Sequence, residues 1–360
     1  MKIGILTFHC SYNYGAVLQC YALQQQVMEL GHDAFIINYR PEYLESKKAY
    51  NSIKFFIRHP LLAWDSAKKN KTRNIKYSKF LEFEETYYRK TKVCRNIGEI
   101  ENIIPIFDYV VFGSDQIWCP KFNNKDLVWY GLFFNNSQSK MIGYAASAGD
   151  ANLTEDEKSL LFGSITKFTS ISVREEKLRE LIQSSLPDLE VKVTLDPTLL
   201  VAPKIWEPWF KPIREGKYVL VRQARRDRKI YDIARNIAKQ IGADVITADV
   251  HENSFEEATE VYSSSPAEFV SLIKNAQCVI SNSFHGVALS LSMGVSFYAT
   301  KLNDGGDERI YNLLSKYNML DRFLDGDTMP IYKRLEYSTY ERCLQKDRET
   351  SYNYLKESLI

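Results

Sequence analysis

This sequence has few of the features that mark membrane-spanning, nucleic-acid-binding or metal-binding proteins. No apolar run approaches the roughly 20 residues that cross a bilayer, and the net charge is only +2, so neither a spanning protein nor a partner of nucleic acid is predicted. The six cysteines show no C-x-x-C spacing, which argues against a metal site and a disulfide framework. Such thiols fit a reducing cytoplasm best. The first residues predict a strand and not a signal peptide.

Two sequence motifs are also missing, one typical of dinucleotide-binding proteins and one typical of serine hydrolases. The β-α-β pattern over residues 2–39 contains no G-x-G-x-x-G, which argues against a dinucleotide site. No G-x-S-x-G elbow is present, and Ser283 and His285 lie only two residues apart, which disfavours a Ser-His hydrolase. No cofactor is predicted. The turn after the first strand, His9–Gly15, could still bind a polar ligand, or it could simply cap the helix that follows.

The length of 360 residues favours two domains, and the alternation of strand and helix patterns indicates an α/β protein. This alternation restarts at Lys217 after a polar stretch. We therefore assign residues 1–200 to an N-terminal α/β domain, 201–334 to a C-terminal α/β domain and 335–360 to a helical tail. Within the first domain, Leu127–Phe134 is expected to be a strand.

The stretch 44–80 differs from the rest of the chain and forms part of a predicted helical insert near 44–100. It carries ten Lys or Arg against two acidic residues, with aromatic and aliphatic residues between them. Pro60 divides it into two predicted helices. A basic amphipathic helix can lie on an anionic membrane or bind phosphates. A charge run is, however, more often simply a solvated face.

One segment, Val279–Ala288, has the pattern of a buried strand, a tight turn and the start of a helix. Its first residues are apolar and β-branched, Ser281–Ser283 are residue types that cap helices, and Gly286 permits a close approach. His285 is therefore expected just beyond a strand, at a helix N-terminus, where α/β sheets bind ligands and where anions are favoured. From position alone, a purely structural role in the turn is equally open.

Polar clusters follow other predicted strands as well. They occur at His9–Gly15, at Gly113–Trp118 and at Tyr144–Gly149. In two facing α/β domains, clusters of this kind can converge on one cleft. The candidate substrate contacts from these clusters are His9, Asn13, Gly15, Ser114, Asp115 and Gln116.

Six short motifs occur in one order along most of the chain, and together they resemble the polysaccharide pyruvyl transferase family. Each motif alone is weak, but their order and spacing are specific. Residues 44–100 match none of them. The motifs are Asn13–Gly15 with Leu18–Gln19 and Ala22–Leu23, Gly113–Trp118, Tyr144–Ser147, Ser172–Glu175, Asp196–Leu200 and Ser283–Gly286.

The resemblance implies two Rossmann-like domains facing across a cleft, similar to GT-B glycosyltransferases. It also implies transfer of a pyruvyl group from phosphoenolpyruvate to sugar hydroxyls, as a cyclic ketal, in cell-surface polysaccharide biosynthesis. This chemistry needs a proton donor for the enol carbon, a cationic clamp for phosphate and carboxylate, and a base for the hydroxyl. The family histidine falls on His285, the expected general acid, with Ser283 and Gly286 as expected substrate contacts beside it.

The sequence departs from some family members at Ser283, where they carry an arginine. One phosphate contact is therefore lost or supplied elsewhere, and Arg222, Arg309 and Arg174 are the candidate replacements. Each of them could instead form a surface ion pair, and this applies most strongly to Arg174.

Two other functions remain open on the sequence. A nucleotide-sugar-dependent GT-B glycosyltransferase would use the same helix-terminus site for a diphosphate, and a non-catalytic sugar-binding relative would consume neither donor. The expected partners are phosphoenolpyruvate and a sugar acceptor, which a lipid could carry. The expected location is the cytoplasm or the inner face of the membrane, with peripheral contact through residues 44–80.

Overall fold

The computed structural model describes residues 1–45, 60–134, 138–149, 151–248, 258–302, 307–325, 327 and 329–360, with the backbone alone at residue 45 and over 60–73. The chain divides into two compact units. The first contains Met1–Ser46, Tyr87–Val201 and Cys343–Ile360, and the second contains Lys47–Thr86 and Ala202–Arg342. Within these described ranges, no helix is long and apolar enough to cross a membrane.

Strands and helices alternate along both units. The strands are β1 (Lys2–Leu6), β2 (Asp33–Ile36), β3 (Tyr109–Phe112), β4 (Lys140–Ala146), β5 (Ser170–Val173), β6 (Val191–Val193), β7 (Tyr218–Arg222), β8 (Asp244–Thr247), β9 (Glu260–Val261), β10 (Cys278–Ser281), β11 (Phe297–Thr300) and β12 (Phe323–Leu324). The helices are α1 (Tyr14–Glu29), α2 (Glu42–Glu45), α3 (Pro60–Tyr87), α4 (Ile97–Ile103), α5 (Pro120–Asn123), α6 (Glu155–Ile165), α7 (Glu176–Ser185), α8 (Pro197–Leu200), α9 (Lys229–Ile241), α10 (Pro266–Asn275), α11 (Phe284–Ser292), α12 (Asp307–Lys316) and α13 (Glu341–Ser358).

The first unit is built on a six-stranded parallel sheet in the order β2-β1-β3-β4-β5-β6. Its central strands are continuous apolar runs, and all four residues of β3 are buried. This is the composition expected of a parallel sheet that helices cover on both faces. The chain order reverses between β1 and β3, so the ligand crevice of such a sheet is expected beyond the carboxyl ends of these two strands.

The second unit has its own six-stranded parallel sheet, in the order β12-β11-β10-β7-β8-β9. Counted from β7, this is the doubly wound order of a Rossmann fold, with the reversal between β7 and β10. Helix α9 packs on the sheet through buried residues such as Ile230, Ile233 and Ile237, and Gly242 ends it in a left-handed conformation (φ 62°). The two separate sheets confirm the prediction of two Rossmann-like domains.

The expected strand at Leu127–Phe134 is wrong. Residues Leu127–Tyr130 form a 3-10 helix, because the Asp126 carboxylate accepts a hydrogen bond from the Val128 amide at 3.1 Å and Gly131 turns the chain with φ 68°. The apolar run still contributes to the hydrophobic core, since Trp129 is fully buried. Burial alone does not distinguish a covered strand from a covered turn.

The basic stretch contains one long helix within the described residues. Helix α3 begins at Pro60, consistent with the preference of proline for a first helical turn, while the first half of the stretch, 46–59, lies outside the described residues. The later part of α3 contacts the rest of the second unit. The Lys79 ammonium lies 2.7 Å from the Glu268 carboxylate, and Phe83 packs edge-on against Trp209 with ring centroids 5.4 Å apart.

Candidate functional site

In the second unit, Arg222 and Ser281 end the two strands that flank the reversal of chain order. They lie opposite each other in the sheet, and the Ser281 hydroxyl donates to the Arg222 carbonyl at 2.9 Å. The same hydroxyl oxygen accepts a hydrogen bond from the Ser283 amide at 3.0 Å. One serine therefore joins the end of β7 to the turn that carries the predicted motif.

Gly286 lies in the first turn of α11, where the helix approaches the strand ends closely. A β-carbon at this position would stand 2.3 Å from the Ser281 hydroxyl oxygen, 3.1 Å from the Ser281 Cβ and 3.2 Å from the Arg222 Cγ. These distances are shorter than van der Waals contact. Because Gly286 has no side chain, the N-terminus of α11 can pack closely against Arg222 and Ser281.

His285 lies in the same first turn and is 8% exposed. Its ring packs edge-on against Phe284, with centroids 5.2 Å apart, and the Arg309 guanidinium lies 5.9 Å from the Phe284 ring centroid. Ser283 is the N-cap residue of α11, but its hydroxyl makes no capping hydrogen bond. The first-turn amides and the helix dipole therefore favour an anion at this point.

The structure brings five of the predicted residues together at this edge of the second sheet: Arg222, Ser283, His285, Gly286 and Arg309. The Arg222 side chain is buried and its guanidinium lies 6.0 Å from the Phe269 ring centroid. Asn282 and Gln223, two residues with buried side-chain amides at the same strand ends, are not among the site residues predicted from the sequence. Their position directly after a strand was the available signal.

In the first unit, His9 follows β1 and is fully buried. Its Nδ1 lies 3.2 Å from the Thr7 carbonyl oxygen, and its Nε2 lies 3.0 Å from the Asn38 side-chain oxygen. Burial, with the nearby charge of Arg40 as a second cause, lowers the pKa of His9 to about 4. His9 is therefore neutral near pH 7, and both of its ring nitrogens contact residues of its own unit.

The other predicted residues of the first unit lie around the ends of β1 and β3. Asn13 caps α1 by accepting a hydrogen bond from the Gly15 amide at 2.9 Å. Ser114 is buried, and its hydroxyl donates to the Ala145 carbonyl at 2.8 Å. Asp115 and Gln116 come next, and Asp115 is 8% exposed with φ 68°. These residues thus surround the crevice position expected for this sheet.

Arg174 follows β5 and belongs to a buried ion-pair cluster of the first unit. Its guanidinium lies 2.9 Å from both the Glu175 and the Asp196 carboxylate and 3.9 Å from Asp115. Burial alone would lower the pKa of Arg174, but the three carboxylates outweigh burial and raise its pKa above the usual value. The charge of this arginine is therefore matched within its own unit.

No group of three or more metal-ligating side chains occurs among the described residues. Comparison with solved structures finds similar chains at low identity. UDP-GlcNAc 2-epimerase from Methanocaldococcus jannaschii has a TM-score of 0.51 and 13% identity, covering 96% of this chain and 99% of that chain. The E. coli heptosyltransferase WaaC with ADP-2-deoxy-2-fluoro heptose has a TM-score of 0.42 and 11% identity, covering 96% and 100%.

The glycosyltransferase SnogD from Streptomyces nogalater also has a TM-score of 0.42, with 12% identity over 98% of this chain and 94% of that chain. At 13% identity the likeness to the epimerase concerns the fold alone. A search of curated protein sequences found no match. The model of the polysaccharide pyruvyl transferase family matches residues 13–301, which confirms the resemblance drawn from the six motifs.

Proposed function

Because the chain belongs to the polysaccharide pyruvyl transferase family, we propose that it transfers a pyruvyl group from phosphoenolpyruvate to two hydroxyls of a sugar, as a cyclic ketal in cell-surface polysaccharide biosynthesis. One observation carries the donor assignment. His285 and the open first turn of α11 lie at the reversal point of the second sheet, where the main chain of Gly286 packs against Arg222. This arrangement combines a proton donor with a site for anions.

The reaction forms two C–O bonds at C2 of phosphoenolpyruvate. Addition of the first hydroxyl breaks the C2–C3 double bond, and C3 takes up a proton to become a methyl group. The second hydroxyl then displaces phosphate from C2, and the phosphate leaves with its bonding electron pair. The two hydroxyl protons balance the proton gained by C3 and the proton taken up by phosphate. His285 delivers the proton to C3 as general acid.

We assign the donor's phosphate and carboxylate to Arg222, Arg309 and the amides at the start of α11. Removing one charged partner of a bound anion costs about 2–5 kcal/mol, or about 30-fold or more in affinity. Arg222→Ala and Arg309→Ala are each expected to raise the KM for phosphoenolpyruvate by that factor or to abolish turnover. Steady-state kinetics at varied donor concentration measures this.

The matched control is Arg235→Ala, which removes an exposed arginine of α9 that pairs with Asp232 at 2.7 Å. Its donor KM should equal that of the parent. Unchanged donor kinetics in both Arg222→Ala and Arg309→Ala would show that the clamp lies elsewhere.

For the first unit we propose contacts to the sugar acceptor, with Asp115 as the best-placed residue. Within the described part of the chain its carboxylate accepts no hydrogen bond, and the Arg174 guanidinium lies 3.9 Å away. A sugar hydroxyl is a suitable donor for such a carboxylate. Asn13, Ser114 and Gln116 are secondary candidates around it.

The experiment that tests the function is incubation with phosphoenolpyruvate and candidate acceptor sugars while phosphate release is followed. Acceptor-dependent phosphate release, with a ketal on the sugar, supports the proposal. Release of a nucleoside diphosphate from a sugar nucleotide instead would identify a glycosyltransferase. Sugar binding without consumption of either donor would identify a non-catalytic relative.

We further propose that the basic stretch 44–80 contacts an anionic membrane at its inner face, where a lipid-linked acceptor would be reached. The support is its charge of ten basic against two acidic residues. In liposome sedimentation, binding to vesicles with anionic lipid is expected at low salt and should weaken as salt rises. Zwitterionic vesicles are the control, and equal binding to both kinds of vesicle at low salt would contradict membrane contact through charge.

A further inference from the structure

Asp196 opens one of the six motifs, shortly after β6, and its side chain is fully buried. Its Oδ1 accepts hydrogen bonds from the Thr198 amide at 3.0 Å and from the Thr198 hydroxyl at 2.7 Å, so it caps α8. Its Oδ2 accepts a hydrogen bond from the Arg174 guanidinium at 2.9 Å and lies 3.4 Å from the Ser114 hydroxyl oxygen. One carboxylate therefore connects the segment after β6 with residues that follow β3 and β5.

Helix α13 holds the segment that contains Asp196 at both ends. The Leu195 amide donates a hydrogen bond to the Ser351 hydroxyl oxygen at 2.9 Å, and the Arg348 guanidinium donates to the Leu199 carbonyl at 2.8 Å. Ser351 and Arg348 are both buried, and all of these residues belong to the first unit. The last helix of the chain thus fixes the backbone on either side of Asp196.

Asp115 is the most accessible of the three carboxylates around Arg174. The exposed fraction of its side chain is 12%, against 8% for Glu175 and 0% for Asp196. The Asp115 backbone is fixed, because its carbonyl accepts a hydrogen bond from the Ser147 amide at 3.0 Å. Asp115 is therefore the member of this cluster that a sugar can reach.

The other two carboxylates hold Arg174 away from Asp115. The guanidinium lies 2.9 Å from Asp196 and from Glu175, but 3.9 Å from Asp115, which exceeds hydrogen-bond distance. Charge-assisted hydrogen bonds are the strong ones, so the two close partners fix the position of the guanidinium. The Asp115 carboxylate thus lies near a positive charge and yet keeps its oxygens available to a hydroxyl donor.

We propose that Asp196 is a positioning residue for acceptor binding, which keeps Arg174 at a distance from Asp115 so that the Asp115 carboxylate accepts a hydrogen bond from the sugar hydroxyl. Asp196 is itself too deeply buried to touch the sugar, and α13 keeps it in place. The inference rests on the proposed function, which assigns Asp115 to the acceptor. Side chains that bind substrate depend on such neighbours, because a displacement of about 1 Å can lower the rate about 100-fold.

The first test is Asp196→Asn, with acceptor kinetics measured on a sugar that supports phosphate release by the parent. The asparagine oxygen still accepts the hydrogen bonds of Thr198, but the charge that holds Arg174 is lost. We expect the guanidinium to close on Asp115 and to compete with the sugar. The acceptor KM should then rise about tenfold or more, as expected for the loss of a hydrogen bond to a charged group, while the Kd for phosphoenolpyruvate stays unchanged. Asp188→Asn, which neutralises an exposed carboxylate of the same unit, is the matched control and should change neither constant.

A double-mutant cycle separates positioning from a merely structural role. It compares kcat/KM for the acceptor in Asp115→Asn, Asp196→Asn and the double variant, and chemical denaturation establishes that each protein is folded. If Asp196 acts through Asp115, its substitution lowers kcat/KM little further once Asp115 is changed. Additive losses in kcat/KM, or an unchanged acceptor KM in a folded Asp196→Asn protein, would overturn the proposal.

Ser351→Ala is the second variant, because loss of one member of a buried ion pair is strongly destabilising and Asp196→Asn could fail to fold. It removes only the acceptor of the Leu195 amide, and the acceptor KM should again rise. Its control is Thr350→Ala, which removes an exposed hydroxyl of the same helix. Equal acceptor KM values in these two variants would also overturn the proposal. A parent that releases no phosphate from phosphoenolpyruvate with any acceptor would instead refute the proposed function, on which the inference depends.

Discussion

Replacement of His285 by glutamine is expected to lower kcat by at least about 100-fold, because general acid catalysis contributes about 10²–10⁴-fold. Glutamine retains a polar side chain that can hydrogen-bond to the donor, but it cannot deliver a proton to C3 of phosphoenolpyruvate. The imidazole is the side chain that exchanges protons near neutral pH. Its place in the first turn of α11, beside the position expected for phosphate, motivates the assignment.

The measurement is single-turnover kinetics on the His285→Gln variant, together with its melting temperature and its affinity for phosphoenolpyruvate. The melting temperature should remain close to that of the parent, and donor binding should be retained. His32→Gln is the matched control, since His32 lies beside β2 and remote from the strand ends that carry the motifs. If His285→Gln unfolds the protein while a folded His9→Gln variant loses turnover, His285 is structural and the acid lies in the first unit.

Substitution of Gly286 by alanine is expected to cost about 1–3 kcal/mol of stability, as overpacking of a well-packed site typically does. The added methyl group would meet the Ser281 hydroxyl oxygen at 2.3 Å and the Arg222 Cγ at 3.2 Å. The Ser281 hydroxyl cannot turn away freely, because it donates to the Arg222 carbonyl. The start of α11 must therefore shift, and a displacement of about 1 Å at a reacting group can lower the rate about 100-fold.

Chemical denaturation and kcat/KM for phosphoenolpyruvate measure the two effects of Gly286→Ala. Gly163→Ala is the control, because Gly163 lies in helix α6 and, in the described part of the chain, no atom outside the neighbouring helix backbone lies within 4 Å of the position that a methyl group would take there. Alanine at this site should be neutral or stabilising. The double variant Ser281→Gly/Gly286→Ala removes both Ser281 contacts of the methyl group. It should lose less stability than the sum of the two single variants, and strictly additive losses would contradict the close-packing explanation.

The sequence was sufficient to predict the elements on which the site is built. Apolar, β-branched runs such as Tyr218–Arg222 and Cys278–Ser281 indicate covered parallel strands, because both faces of such strands are buried. The polar turn after Ser281 and the small residues of α11 follow from the same local pattern. Where the local signal is ambiguous the prediction is wrong, as at Leu127–Phe134, since an apolar aromatic run suits either a strand or a buried turn.

By itself, the sequence determined the two α/β units, the family and the location of the histidine turn after a strand, because these depend on local periodicity and on motifs in fixed order. Only the tertiary structure decided which strand ends are neighbours, since strand order depends on packing between distant segments. It places Ser281 opposite Arg222 and surrounds Arg174 with carboxylates from three separate parts of the chain. It also buries His9 completely and lowers its pKa to about 4. His285 also follows a strand, but it lies in the first turn of α11 and is 8% exposed, so the two histidines have different surroundings.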